Sequence, residues 1–210
     1  MILETLAAAG VPQVGKDGWE ADDVIASLAA RAVEKGLDTV MVTGDKDLLQ
    51  LVGEHVSALR PPKKGENEYR LTTPTEVLEE FGVAPELIVD YLALIGDSSD
   101  NVPGVAGIGP KGAVKLLQDF GSLEHIYQHI DACPAGVAQK LRTSHDLAFL
   151  SQDLVRLRSD VLTVEEFDQL DFSLKTVDWN KAIPYMERAQ ARSLVSIVKQ
   201  MSGPTDVVPA

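Results

Sequence analysis

A helix-patterned segment that stops at a glycine and runs directly into a short β-branched stretch limits the possible folds more than any other feature. Residues 21–35 place Val24, Ile25, Leu28, Ala32 and Val33 at helical spacing, and Gly36 follows, the residue best suited to close a helix. Residues 37–43 come next without a linker and are mostly apolar and β-branched, the pattern of a buried parallel strand. Gly44 and an acidic turn end this run, and a short helical stretch carries Leu48, Leu49 and Val52. Residues 56–59 predict a second strand and 61–68 a polar loop. Thr73-Pro74-Thr75-Glu76 combines an N-cap, a first-turn proline and a capping-box glutamate, so a helix is expected to Phe81 and to stop at Gly82. A further helix is expected over 85–95, ended by Gly96. Strands separated by helices make this half α/β with a parallel sheet.

From Asp97 onward the pattern is helical throughout. Residues 97–109 form a glycine-rich connector. Helices are expected over 110–120, from Ser122 to about 130, over 135–144 and over 146–157, with amphipathic stretches near 179–188 and 191–201. The organisation expected is an α/β domain over 1–96, a helical region over 97–201 and a frayed tail over 202–210.

Composition narrows the function classes. The chain of 210 residues is long enough to bury a core. Cys133 is the only cysteine, which excludes a disulfide framework and a thiolate zinc cluster and suits a reducing, cytoplasmic setting. No apolar run is long enough for a membrane helix, and residues 1–10 lack a basic leader. The formal charge of −13 seems adverse to nucleic acid, but its distribution is uneven. Residues 1–102 hold 19 acidic and 8 basic side chains, whereas 103–160 hold 6 of each. Bound divalent cations would offset part of the first excess, and DNA, if bound, would be gripped at a few fixed points.

Three acidic clusters carry the candidate chemistry: Glu20, Asp22 and Asp23 at a helix start; Asp45 and Asp47 past the carboxyl end of the 37–43 strand; Asp97 and Asp100 in the connector. Acidic residues in a first helical turn commonly do no more than complement the macrodipole, and aspartate-rich turns are ordinary. Together, at three element ends, they read differently. Open α/β sheets bind ligands beyond the carboxyl ends of their strands, and phosphoryl sites with two Mg²⁺ or Mn²⁺ ions use several carboxylates. In an extended turn Asp45 and Asp47 point the same way and Lys46 elsewhere. The weaker candidates have plainer readings. His125 and His129 lack a third zinc ligand, Lys63 and Lys64 sit in a solvated loop, and Trp19 and Trp179 pack at the core or its rim.

The stretch from Val102 to Lys111 ends at a helix start. Gly107 and Gly109 allow a tight turn, free N–H groups and the helix dipole form an anion site, and Lys111 and Lys115 lie one turn apart on one face. Such a site reads phosphate and not base.

In order along the chain, Glu20-Ala21-Asp22-Asp23-Val24-Ile25, Thr43-Gly44-Asp45-Lys46-Asp47-Leu48 and Gly96-Asp97-Ser98-Ser99-Asp100-Asn101-Val102-Pro103-Gly104 resemble the 5′–3′ exonuclease and flap endonuclease family, most of all the 5′ nuclease domain of bacterial DNA polymerase I. The likeness runs from about residue 11 to 157. It implies a partial parallel-sheet nuclease domain, with its first strands absent, followed by an all-helical region with a helix-three-turn-helix DNA-binding motif. It implies that Glu20, Asp22, Asp23, Asp45, Asp47, Asp97 and Asp100 hold Mg²⁺ or Mn²⁺ (two ions), with Asp22, Asp23, Asp45 and Asp47 catalytic. It implies that Gly107, Ile108, Gly109, Lys111 and Lys115 bind DNA, with K⁺ held by main-chain oxygens of the hairpin. The implied partner is DNA with 5′ ends, flaps or nicks, met by a monomer near the nucleoid. Gly112 departs from the threonine common after the lysine. The family also begins with a strand carrying a metal-binding aspartate, and has a second aspartate and a basic helical arch; none precedes Met1, so reduced activity is expected of these residues alone. The competing expectations are a DNA-binding fragment without catalysis and a relative of small RNA-cleaving nucleases.

Overall fold

The computed structural model describes residues 1–62 and 64–201; Lys63 and the expected tail over 202–210 lie outside the described residues. Its elements are α1 (Ile2–Ala9), α2 (Ala21–Glu34), β1 (Thr39–Val42), β2 (Val56–Arg60), β3 (Arg70–Thr72), α3 (Pro74–Phe81), α4 (Ile88–Ile95), α5 (Pro110–Phe120), α6 (Leu123–Gln128), α7 (Ala135–Thr143), α8 (His145–Val155), α9 (Val164–Asp168), α10 (Ile183–Arg188) and α11 (Arg192–Met201), joined in places by single 3₁₀ turns. The cap signals act as read. Glu76 accepts the Thr73 N–H at 2.8 Å to open α3, Ser122 accepts the His125 N–H at 3.2 Å to open α6, and Gly36 and Gly82 follow helix ends with positive φ. The helix expected over 85–95 begins as a 3₁₀ turn, Pro85–Leu87, before α4 proper. Gly112 leaves α5 intact.

The sheet departs from expectation in two respects. It is mixed: β1 and β2 run parallel, but β3 pairs antiparallel to β2, with Ala58 opposite Thr72 and Arg60 opposite Arg70. A three-residue strand is too short to show a period in sequence. Nor is β1 buried on both faces: Met41 is buried, whereas Val40 and Val42 are 56% and 67% exposed. Only the face of β1 that carries Met41 packs against the core, and among the described residues β1 stands at one end of the order β1-β2-β3.

The chain forms two compact units. The larger, Gly18–Leu162, contains the sheet, α2 to α8 and the main core; the smaller is built from Met1–Asp17 and the residues from Thr163 onward. In the larger unit, α4 is buried from Ile88 to Leu94 and packs on α5, α6 and α8. The α/β elements and the helices after Asp97 therefore share one core, with Leu48, Leu49, Ile88, Leu92, Leu117, Leu123 and Leu141 fully buried in it. The boundary expected at 96 falls inside this unit. In the smaller unit, α1, α10 and α11 enclose a cluster of Ala9, Ala182, Met186, Val195 and Val198, and Asp178 donates its N–H to the Ala9 carbonyl at 2.8 Å.

One buried polar joint fastens α4, α6 and α8. Asp90 accepts the Leu123 N–H at 3.0 Å and the Gln152 amide at 2.7 Å, and the same amide reaches Glu124 at 2.8 Å. Removing the acceptor leaves a buried N–H and a buried amide short of a partner. Asp90→Ala should therefore cost about 1–3 kcal/mol in urea unfolding; a change below about 0.5 kcal/mol would show that the joint contributes nothing.

Candidate functional site

Each acidic cluster is held by a different local device. Glu20 is the N-cap of α2 with extended backbone, and Asp22 and Asp23 stand in its first turn. Asp23 accepts the Arg158 N–H at 2.9 Å, and the Arg158 guanidinium lies 5.6 Å over the exposed Trp19 ring. Past β1, Thr43 Oγ1 accepts the Asp45 N–H and Asp45 Oδ1 accepts the Asp47 N–H, each at 3.0 Å. These two side-chain-to-backbone turns lead into the 3₁₀ turn Asp47–Leu51. That turn is pinned by buried Leu48 and Leu49 and by Gln50, whose amide donates to the Val155 carbonyl at 2.9 Å and accepts from Leu157 N–H at 3.1 Å.

The third cluster rests on a backbone crossing. After α4 the chain turns at Gly96, forms a bridge between Asp97 and Val102, and returns past Gly96 at Gly104. A Cβ on Gly104 would lie 2.4 Å from the Gly96 nitrogen, and one on Gly96 would lie 2.7 Å from the Val102 carbonyl oxygen. Both glycines also have positive φ, so no other residue fits either position without displacing backbone. Ser151 Oγ accepts the Gly104 N–H at 3.0 Å. The loop so closed presents Asp97 and Asp100, with Asp97 Oδ1 accepting the Ser99 N–H at 2.9 Å.

The three ends meet electrostatically. Burial raises the Asp22 carboxyl above its ordinary value, and Asp45, Glu20, Asp23 and Asp100 raise it further. Asp47 is pushed up to about 6, by burial first and then by Asp45, Asp100 and Asp97, against a small opposing effect of Lys46. Asp100 is raised by its hydrogen bond to Asp97. Asp97 behaves oppositely: burial acts to raise it, but the Lys46 ammonium, the Ser99 N–H and Asp100 outweigh this and hold it low. All seven carboxylates thus belong to one neighbourhood. Among the described residues, however, no three acidic, histidine or cysteine side chains stand close enough to hold one ion in this arrangement.

The donor set nevertheless suits a hard divalent cation. Every candidate ligand is a carboxylate oxygen, and Asp47 Oδ1 is buried without a hydrogen-bond partner, an arrangement costly to keep unless something positive meets it. An open cleft of about 450 Å³ borders the cluster, lined by Gly44, Asp45, Lys46, Arg60, Asp97 and Asp100 among others.

Lys46 was expected to point away; it turns inward and forms an ion pair with the buried Asp97. Intervening charge between two aspartates is a signal for such a pair that the extended-turn reading missed. In the hairpin, Gly107, Gly109, Lys111 and Lys115 are exposed. Ile108 is not: its side chain is 7% exposed and its N–H donates to Val105 at 3.0 Å, which leaves neither free for a partner. Lys115 pairs with Asp119 at 3.0 Å. Lys140 of α7, unforeseen because it lies far along the chain, donates to the Gly107 carbonyl at 2.8 Å. His125 and His129 belong to a ring cluster, with His129 stacked on Phe120 at 6.4 Å.

This arrangement has known counterparts. A family model described as the 5′-3′ exonuclease N-terminal resolvase-like domain matches residues 1–82, and one described as the 5′-3′ exonuclease C-terminal SAM fold matches 83–179. The chain therefore belongs to the 5′-3′ exonuclease family. It is 40% identical over 209 residues to DNA polymerase I of Caldicellulosiruptor bescii, covering 99% of this chain and 24% of that protein. It is 37% identical over 205 residues to the 5′-3′ exonuclease of Aquifex aeolicus, covering 96% and 66%. The chain thus spans about a quarter of the polymerase and about two thirds of the exonuclease. Among solved structures, the fold is similar to that of the bacteriophage T5 5′-exonuclease with bound zinc, with a TM-score of 0.64 at 22% identity over 92% of this chain and 65% of that one. It is also similar to the T5 flap endonuclease complexed with DNA and metal ions, with a TM-score of 0.63 at 19% identity over 95% and 65%.

The raised Asp47 carboxyl has a consequence for stability. Because the folded state binds this proton more tightly than the unfolded chain, ionising Asp47 costs stability as pH rises from about 4 to about 6. Without metal, Asp47→Asn should raise Tm at pH 7.5 and lose that advantage below pH 4. Equal melting temperatures at pH 7.5 would contradict the electrostatic reading.

Proposed function

We propose that the chain hydrolyses DNA phosphodiester bonds near 5′ ends, nicks and flap junctions, using divalent metal held by carboxylates among Glu20, Asp22, Asp23, Asp45, Asp47, Asp97 and Asp100. The observation that carries this reading is a set of carboxylates from three element ends that, together with burial, raises Asp22 and Asp47 and leaves a buried oxygen of Asp47 unpartnered. Membership of the 5′-3′ exonuclease family supports it, as does a similar fold that was solved with DNA and metal ions. Two Mg²⁺ or Mn²⁺ ions would supply Lewis acidity toward the scissile phosphate and activate water at neutral pH.

The chain's own residues do the remaining work. Asp45, at the cleft, closes the turn that holds Asp47 by accepting its N–H. The Gly96–Gly104 crossing fixes Asp100 against Asp22 and Asp47. At the hairpin, the N–H groups of Gly107, Gly109 and Lys111 and the Lys111 ammonium bind backbone phosphate without reading sequence. A K⁺ ion at the hairpin would have to share or replace the Lys140 contact to the Gly107 carbonyl, since that oxygen is already engaged by an ammonium.

Two measurements test the reading. In Mg²⁺, the protein should cut a 5′ flap and a nicked duplex, and Asp45→Asn should reduce cutting by roughly 10²-fold or more. Salt-dependent duplex binding should weaken several-fold in Lys111→Ala, with a shallower dependence on salt by about one ion. Duplex binding without any metal-dependent cutting would replace the nuclease reading with a DNA-binding one.

A further inference from the structure

A cation reaches into the carboxylate neighbourhood from within the acidic turn itself. Lys46 sits between Asp45 and Asp47 in sequence, yet its ammonium pairs with Asp97 across the cluster. The Asp97 side chain is 4% exposed, whereas that of Lys46 is 32% exposed and lines the cleft. Asp97 Oδ1 accepts the Ser99 N–H at 2.9 Å and Oδ2 is engaged by Lys46, so each of its oxygens already has a partner. Arg60, the other cation at the cleft, is held by both oxygens of Glu80, at 3.0 and 2.8 Å. Lys46 is therefore the positive group that could be displaced without breaking a bidentate pair.

We propose that Lys46 is a tethered placeholder cation on Asp97, exchanged for a divalent ion when metal binds. An ammonium and a divalent ion on one carboxylate repel each other, so metal ligation by Asp97 weakens the Lys46 ion pair and favours its release. Without metal, the ammonium holds the Asp97–Val102 loop against the turn after β1 and keeps a buried carboxylate paired. With metal, the ammonium is released into the cleft on its flexible stem and becomes available to an anion there. Lys46 thus sets the metal affinity from inside the site and couples metal loading to the appearance of a free positive charge beside it.

This inference rests on the metal-binding reading, and the test separates the two. Mn²⁺ binding to the protein is measured by calorimetry, and the rate of reductive dimethylation of each lysine is read by mass spectrometry with and without saturating Mn²⁺. Labelling of Lys46, relative to exposed Lys111, should rise several-fold when Mn²⁺ binds. In Asp97→Asn it should be fast with and without the ion. Lys46→Met should bind Mn²⁺ roughly tenfold more tightly, since the competing cation is gone. If Mn²⁺ binds and Lys46 labelling does not change, the exchange is overturned while metal binding stands. Equal or weaker Mn²⁺ binding by a folded Lys46→Met protein also overturns it, and no Mn²⁺ binding to the wild type overturns both readings.

Discussion

Where the chain leaves α4 it passes back over itself so closely that two glycines touch backbone to backbone. A methyl group at Gly104 would lie 2.4 Å from the Gly96 nitrogen. That crossing closes the loop carrying Asp97 and Asp100, directs the chain toward α5, and is tied to α8 through Ser151. Val105 continues the tie by donating to Leu94 at 2.9 Å. Site and scaffold are thus joined at a single place: the same few residues end the buried helix, position two carboxylates and begin the hairpin. A core helix buried from Ile88 to Leu94 supplies the rigidity, and the absence of two side chains supplies the clearance.

The carboxylates placed by this scaffold are in mutual conflict. Burial and like charge raise Asp22 and Asp47, while Asp97 is held low by an ammonium reaching into the cluster, with the Ser99 N–H and Asp100 beside it. A fold selected for stability alone would replace such groups, and the strain they store is the usual mark of a site made for a ligand of opposite charge. Uneven charge along the chain follows from the same cause. The acidic excess lies in the part that carries the cluster, while the hairpin segment is balanced.

Much of this was legible in the sequence because the signals were local. Glycine stops, a capping box and a first-turn proline located α2, α3, α4 and α5, and the three acidic motifs at element ends located the site. What was not legible depended on contacts between distant residues. Three residues of β3 cannot show a period, and whether β1 is covered on one face or two is decided by what packs on it. The direction of Lys46 depends on where the Asp97 loop lies in space, and Lys140 reaches Gly107 from α7 across 33 positions. Ile108 looked like part of a binding loop because its neighbours are glycines, but its own side chain had a place in the core. α4 packs on α5, α6 and α8 and on the 3₁₀ turn after β1, so residues on both sides of position 96 share one core.

β1 carries a different consequence. It pairs with β2 on one side and with no strand on the other among the described residues, and Val40 and Val42 lie exposed on one of its faces. A row of backbone donors and acceptors beside two exposed valines is a template onto which an extended segment can add. An added strand there would cover both valines and pair the open backbone groups, so this edge is where two copies of the chain would first adhere at high concentration.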